Sequence, residues 1–209
     1  MRVFTAPDGG FGNELGTVQT PVDDPQAVAT ALGFSETVFV HSVADGRATI
    51  SIHTPASELP FAGHPSVGTA HFLGGLTTLA EAAGDVAVRY DGDLTWITGR
   101  ADWAPAFTFH ELASPADVDA LDPLSFPAGK HYLWAWISPT EIRARMFAPE
   151  MGIVEDEATG AAAVRITTQL GRDLTIRQGL GSVIHTRLLG EFVEIGGRTV
   201  YDRQISLQM

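Results

Sequence analysis

The chain has 209 residues and a mass of 22.3 kDa, 44% hydrophobic and 18% charged, the composition of a folded protein rather than a disordered one. Thirteen Lys plus Arg against 25 Asp plus Glu leave a net charge of −12. That balance argues against nucleic acid as a partner, because such binding needs a basic face that releases counterions. With no cysteine in the chain, thiol nucleophiles, thiolate metal sites and two-cysteine racemisation are excluded.

The remaining chemistry must run on carboxylates, histidines, hydroxyls and backbone amides. The length suits one large domain or two small ones. No apolar run approaches the ~20 residues of a membrane span, so no membrane partner is expected. Met1-Arg2-Val3-Phe4 is followed at once by Pro7 and Gly9-Gly10, which is no secretory pattern, and the expected compartment is the cytoplasm. Lys130, the single lysine, sits in a Gly-Lys-His loop that suits no Schiff base.

In chain order, Val3 to Thr5 reads as a strand, followed by a Gly-rich turn through Asn13 and a second strand over Leu15 to Val18. Pro25 to Leu32 is a helix, capped by Asp24 and stopped by Gly33. Strands over 37–40 and 48–52 flank an Asp45-Gly46 turn. A short helix runs from His64 to Leu73, and strands over 86–90 and 94–97 form a hairpin. Trp103 to Phe107 reads as a linker into a second unit. That unit has a helix over 115–121 capped by Ser114, strands over 132–137 and 142–147, and a helix from Gly160 to Leu170 ended by Gly171. Four strands close the chain, over 174–177, 182–188, 192–195 and 198–201, the last two joined by a Gly196-Gly197 turn.

The two halves rhyme. Ile52-His53-Thr54-Pro55 and Met146-Phe147-Ala148-Pro149 each end a strand at proline, and each leads through a loop to a helix of small residues. This period is too long for a solenoid. The expected architecture is therefore a duplicated α+β unit, each half a curved mixed sheet wrapped around a central helix. Expected units are residues 1–100 and 104–209, with the final strand free to return to the first half.

Two segments carry the candidate chemistry: Phe61-Ala62-Gly63-His64-Pro65-Ser66 and Glu155-Asp156-Glu157-Ala158-Thr159-Gly160. Each sets glycine and polar side chains at a helix N-terminus, where backbone N–H groups lack partners and the dipole end is positive. Two such termini facing one another would grip a small carboxylate. The plainer alternative has Thr159 capping its helix while Asp156 and Glu157 complement the dipole. His64, before a proline at a helix start, has the plainer alternative of a structural cap. His71, two turns on and ~10 Å along the axis, is too far to share a metal with it. Glu36, between Ser35 and Thr37, is either a solvated turn residue or a carboxylate oriented by its hydroxyl neighbours. The stretch Gly9-Gly10-Phe11-Gly12 is not a dinucleotide fingerprint, and no Gly-x-Ser-x-Gly elbow occurs.

These landmarks resemble the phenazine-biosynthesis PhzF-like family, whose fold is that of diaminopimelate epimerase. They are Phe11-Gly12-Asn13, Ser35-Glu36-Thr37, Phe61-Ala62-Gly63-His64-Pro65 with Gly68-Thr69-Ala70-His71, Phe147-Ala148-Pro149, Glu155-Asp156 with Ala158-Thr159-Gly160, Gln178-Gly179 with Ser182, and Val193 to Arg198. The resemblance implies isomerase chemistry in a cleft between the halves, with no cofactor and no metal, and a homodimer. It implies Glu36 as general acid/base, with His64 and Asp156 beside the substrate. Gly63, Ser66, Thr159 and Gly160 would bind a small anionic metabolite. The chain departs from the family pattern at Glu157, usually proline, at Ala161, usually serine, and at Glu14, usually proline. It also looks shorter in its middle. A catalytically silent carboxylate-binding protein of the same fold is the alternative, and a ligand-free dimeric scaffold a third.

Overall fold

The computed structural model describes residues 1–19, 21–126, 128–149 and 152–204; residues 205–209 of the expected second unit lie outside them. The chain opens with β1 (Arg2–Thr5), which pairs antiparallel with the short β2 (Asn13–Glu14). A first unit follows: β3 (Gly16–Val18), α1 (Pro25–Leu32), β4 (Thr37–Ala44), β5 (Arg47–His53), β6 (Glu58–Leu59), α2 (Gly63–Leu73), β7 (Thr78–Glu81), β8 (Gly84–Asp91) and β9 (Leu94–Arg100). The second contains β10 (Thr108–Glu111), α3 (Pro115–Asp119), β11 (His131–Ser138), β12 (Glu141–Ala148), β13 (Ile153–Asp156), α4 (Gly160–Leu170), β14 (Leu174–Gln178), β15 (Ser182–Leu189) and β16 (Phe192–Val200).

The duplication is visible strand by strand. In the first unit β3 pairs parallel with β4, β4 antiparallel with β5, β5 antiparallel with β6 and parallel with β7, then β7, β8 and β9 form an antiparallel meander. The second repeats the same set from β10 to β16. All four parallel pairs span a helix: α1 and α3 lie in the β3–β4 and β10–β11 connections, and α2 and α4 supply the crossovers from β5 to β7 and from β12 to β14. The units join where β9 and β16 pair antiparallel, Ile97 opposite Ile195, and β1 adds to the other edge of β16. One mixed sheet results, with a helix inside each half.

Local chemistry explains the helix limits. The Asp24 carboxylate accepts the Ala27 N–H at 3.0 Å, and Gly33 ends α1 in the left-handed region at φ +68°. Asp45 and Gly46, both at positive φ, make the β4–β5 turn. Small side chains let the sheets close around the helices: α2 is buried from Gly63 through Ala70, and α4 buries Ala162, Ala163 and Ile166. These residues share one core with Ile97 and Ile195 of the seam strands. Among the described residues no helix is long and apolar enough to cross a membrane.

The expected turn at Gly196-Gly197 is absent, and β16 runs straight through both glycines. A Cβ built on Gly196 would lie 2.3 Å from the Trp96 indole, and one on Gly197 2.4 Å from the Phe4 ring. Aromatic rings cover the bare backbone there, so the glycines mark close approach within a strand. The expected strand over 15–18 is β3, Gly16–Val18, and the two-residue β2 before it, Asn13–Glu14, was not expected. β7 was not expected: its short stretch has little alternation of its own and forms by pairing with β5. β6, β10 and β13, of two to four residues, were likewise missed.

Candidate active site

Glu36 ends the α1–β4 connection, one residue before β4. His64 lies in the first turn of α2, Asp156 ends β13, and Thr159 is the N-cap residue of α4. The fold brings these distant segments together. His64 Nε2 stands 3.3 Å from Glu36 Oε2, with the imidazole 5% and the carboxylate 19% exposed. The two helix starts abut: a Cβ built on Gly160 would lie 2.9 Å from Gly63 Cα and 3.1 Å from the His64 nitrogen. Only glycine permits that approach.

Asp156 is held from several sides. Its Oδ1 accepts from Asn13 Nδ2 at 2.7 Å and its Oδ2 from the Thr159 hydroxyl at 2.5 Å. Asn13 Nδ2 also donates to the Ala158 carbonyl at 3.1 Å. Gln178, fully buried at the end of β14, donates to the Asp156 carbonyl at 2.9 Å and to Thr159 Oγ1 at 2.8 Å. Its own amide oxygen accepts from the Thr159 N–H and the Tyr132 hydroxyl, both at 3.2 Å. Thr159 therefore does not cap α4; its hydroxyl serves Asp156 instead. Neither Ala62 nor Thr159 makes a side-chain cap, so neither helix start spends its amides on its own N-cap side chain.

Burial dominates the electrostatics. It raises the Glu36 pKa, opposed by the neighbouring Ser35 hydroxyl. It lowers His64 to about 4, against the pull of Asp156 and of a hydrogen bond to the Glu14 backbone. Asp156 rises to about 6, first through burial and then through the Glu36 carboxylate; Thr159, His64 and Asn13 pull the other way. At neutral pH His64 is thus uncharged. The ring and the carboxylate meet at 3.3 Å, yet Nε2 and Oε2 are both buried without an aligned hydrogen-bond partner. Among the described residues no three His, Asp or Glu side chains are arranged to hold a metal ion.

Ser66 is a correction. Its side chain is 0% exposed, and its hydroxyl is committed to the Ala62 carbonyl at 2.8 Å and to Glu81 Oε1 at 2.6 Å, which leaves it unavailable to a substrate. When Glu81 is protonated, its carboxyl O–H can donate to Ser66 Oγ, which leaves the Ser66 proton for the Ala62 carbonyl. Burial in fact raises Glu81 from 4.5 to about 8, opposed only by Ser66. The chain Glu81–Ser66–Ala62 fixes the residue before Gly63. A carboxyl whose pKa is raised on folding contributes stability that is complete below about 4.5 and lost as pH rises through about 8. The melting temperature should therefore fall across that window, and Glu81→Gln, whose amide still donates to Ser66, should flatten the decline in a thermal-shift series. Parallel slopes for the two proteins would remove Glu81 as the cause.

Asn13, Gln178 and Glu81 join the cluster without having been expected there. Asn13 and Gln178 do stand in short polar-glycine motifs, Gly12-Asn13 and Gln178-Gly179, which was the available signal. Glu81, in a strand that was itself missed, offered none. His71 is exposed and meets the Thr95 hydroxyl at 3.3 Å, outside this cluster.

Residues 2–116 match the model of the PhzC-PhzF family, described as phenazine biosynthesis-like proteins. A trans-2,3-dihydro-3-hydroxyanthranilate isomerase of Pseudomonas aeruginosa is 32% identical over 74% of this chain and 71% of its own length. The enzyme of the same description from Pseudomonas chlororaphis is 32% identical with the same coverage. Among solved structures, a PhzC/PhzF protein of Clostridium difficile superposes with a TM-score of 0.78 at 20% identity, covering 100% of this chain and 97% of its own. A probable proline racemase of Agrobacterium radiobacter, with bound carbonate, reaches 0.66 at 13% identity, covering 99% of this chain and 92% of its own. The family match over more than half the chain and the curated relatives agree with the duplicated fold: this chain belongs to the phenazine biosynthesis-like PhzF family.

Proposed function

We propose that this protein is a cofactor-independent isomerase that moves a proton on a small carboxylate-bearing metabolite by general acid/base catalysis between its two halves. One observation carries the reading: Glu36 Oε2 and His64 Nε2 are buried, unpartnered and 3.3 Å apart, beside two abutting helix starts without side-chain caps. Buried polar atoms cost free energy unless something uses them. Backbone amides from Gly63 and Gly160 onward suit the substrate carboxylate. Glu36 removes a proton from carbon beside an activating group and returns it elsewhere; its raised pKa brings it toward the working pH. Neutral His64 hydrogen-bonds without adding charge, and Asp156, fixed by Asn13 and Thr159, orients the polar end of the substrate.

The alternative, a silent carboxylate binder, is favoured by Ala161, which brings no hydroxyl to the first turn of α4. Its other support weakens, because the Glu157 carboxylate is engaged with donors of the β14–β15 turn. The deciding experiment incubates the protein in D₂O with trans-2,3-dihydro-3-hydroxyanthranilate and a panel of small carboxylates, and follows mass. Deuterium should enter one of them, at a rate unchanged by EDTA or by thiol-alkylating reagents. Binding by calorimetry without any exchange would establish the silent reading instead.

A further inference from the structure

Glu157 stands where the family pattern has proline, and its plainer role from sequence is to complement the dipole of α4. In the structure its carboxylate is seated in the turn between β14 and β15. Oε2 and Oε1 accept the Leu180 N–H at 2.9 and 3.1 Å, and Oε1 also takes the Gly181 N–H at 3.3 Å and the Ser182 hydroxyl at 2.9 Å. The turn is shaped for this guest. Gly179 sits at φ +60°, and a Cβ there would lie 2.2 Å from Glu157 Oε2. Arg143 braces the same turn by donating to the Gly179 carbonyl at 2.6 Å.

The contact continues into the other half. Having given its proton to Glu157, the Ser182 hydroxyl accepts the Gly12 N–H at 2.9 Å. Phe11 lies against the turn, since a Cβ on Gly181 would meet its ring at 2.4 Å, and it does so at the uncommon φ of +59°. The residue after Gly12 is Asn13, whose side-chain amide donates to Asp156 and to the Ala158 carbonyl. A one-way relay therefore runs from Gly12 through Ser182 to Glu157, one residue from Asp156.

We propose that Glu157 is a positioning residue: its carboxylate orders the β14–β15 turn, the turn fixes Gly12, and Gly12 holds Asn13 where it orients Asp156. This deepens the functional reading above and rests on it for the role of Asp156. A carboxylate suits the place because its oxygens only accept, whereas three donors converge there; a glutamine would turn an N–H₂ toward one of them. Small displacements of a substrate-orienting group can cost up to about 100-fold in rate.

The test compares the wild type with Glu157→Ala and Ser182→Ala by D₂O exchange into substrate and by amide hydrogen exchange. Both variants should lose several-fold to about 100-fold in kcat with less change in KM, and the Gly12 and Gly181 amides should exchange faster. Added formate should restore part of the activity of Glu157→Ala by entering the vacated donors, and should not rescue Ser182→Ala, where the link to Gly12 is gone. Wild-type kcat in Glu157→Ala, or a loss without faster exchange at Gly12, would overturn the proposal. If the wild type itself turns over no substrate, the isomerase reading fails. The amide measurement, which needs no substrate, then still decides the coupling from Glu157 to Gly12.

Discussion

Glu36→Gln is expected to keep the fold and the ligand affinity while lowering proton exchange by about 10²–10⁴-fold, the usual worth of a general acid/base group. Glutamine preserves the shape of the side chain and an acceptor oxygen, but it cannot take up and return a proton. The substitution is mild structurally, because Glu36 Oε2 has no aligned partner to lose. The pH profile supplies a second check. Burial raises the Glu36 pKa, so the acid limb of the wild-type rate should lie above the range of an exposed glutamate. Asp156, at about 6, titrates beside it and is itself pushed up by the Glu36 carboxylate. The limb therefore reports the pair rather than one residue. Wild-type exchange in the glutamine variant, measured by mass spectrometry in D₂O, would remove Glu36 as the base and leave His64 or Asp156.

Gly160→Ala should injure both stability and ligand binding. The added methyl would lie 2.9 Å from Gly63 Cα and 3.1 and 3.2 Å from two further backbone atoms. Backbone on both sides leaves no flexible side chain to move aside. Overpacking of this kind costs roughly 1–3 kcal/mol, only partly offset by the better helix propensity of alanine. At this chain length that corresponds to a melting temperature lower by roughly 2–10 °C. Pushing α4 off α2 also spreads the two sets of amides proposed to share one carboxylate, so affinity should fall along with stability. Calorimetry and a thermal melt on the same variant test both effects. An unchanged melt together with unchanged affinity would show that the Gly63–Gly160 contact neither limits packing nor shapes the site.

What the sequence determined by itself was everything written in short-range chemistry. Asp24 and Gly33 delimit α1, Asp45-Gly46 makes a hairpin, and glycine with small residues announces both central helices. The absence of cysteine restricted the chemistry, and the motifs around Glu36, His64 and Asp156 marked residues that meet in the folded chain. Tertiary structure alone decided the rest. Gly196-Gly197 is strand rather than turn because Trp96 and Phe4, remote in sequence, cover it. Ser66 turns to Glu81, and Glu157 to the β14–β15 turn, because those partners arrive with β7 and β14, whose places depend on parallel pairing across a helix. The partners of Asp156 come from Asn13 and Gln178, on opposite sides of it in the chain. Caps, turns and alternation act over a few residues and leave their mark locally. Desolvation and hydrogen-bond satisfaction depend on which distant segments the closed, duplicated sheet brings together, and no local spacing records that.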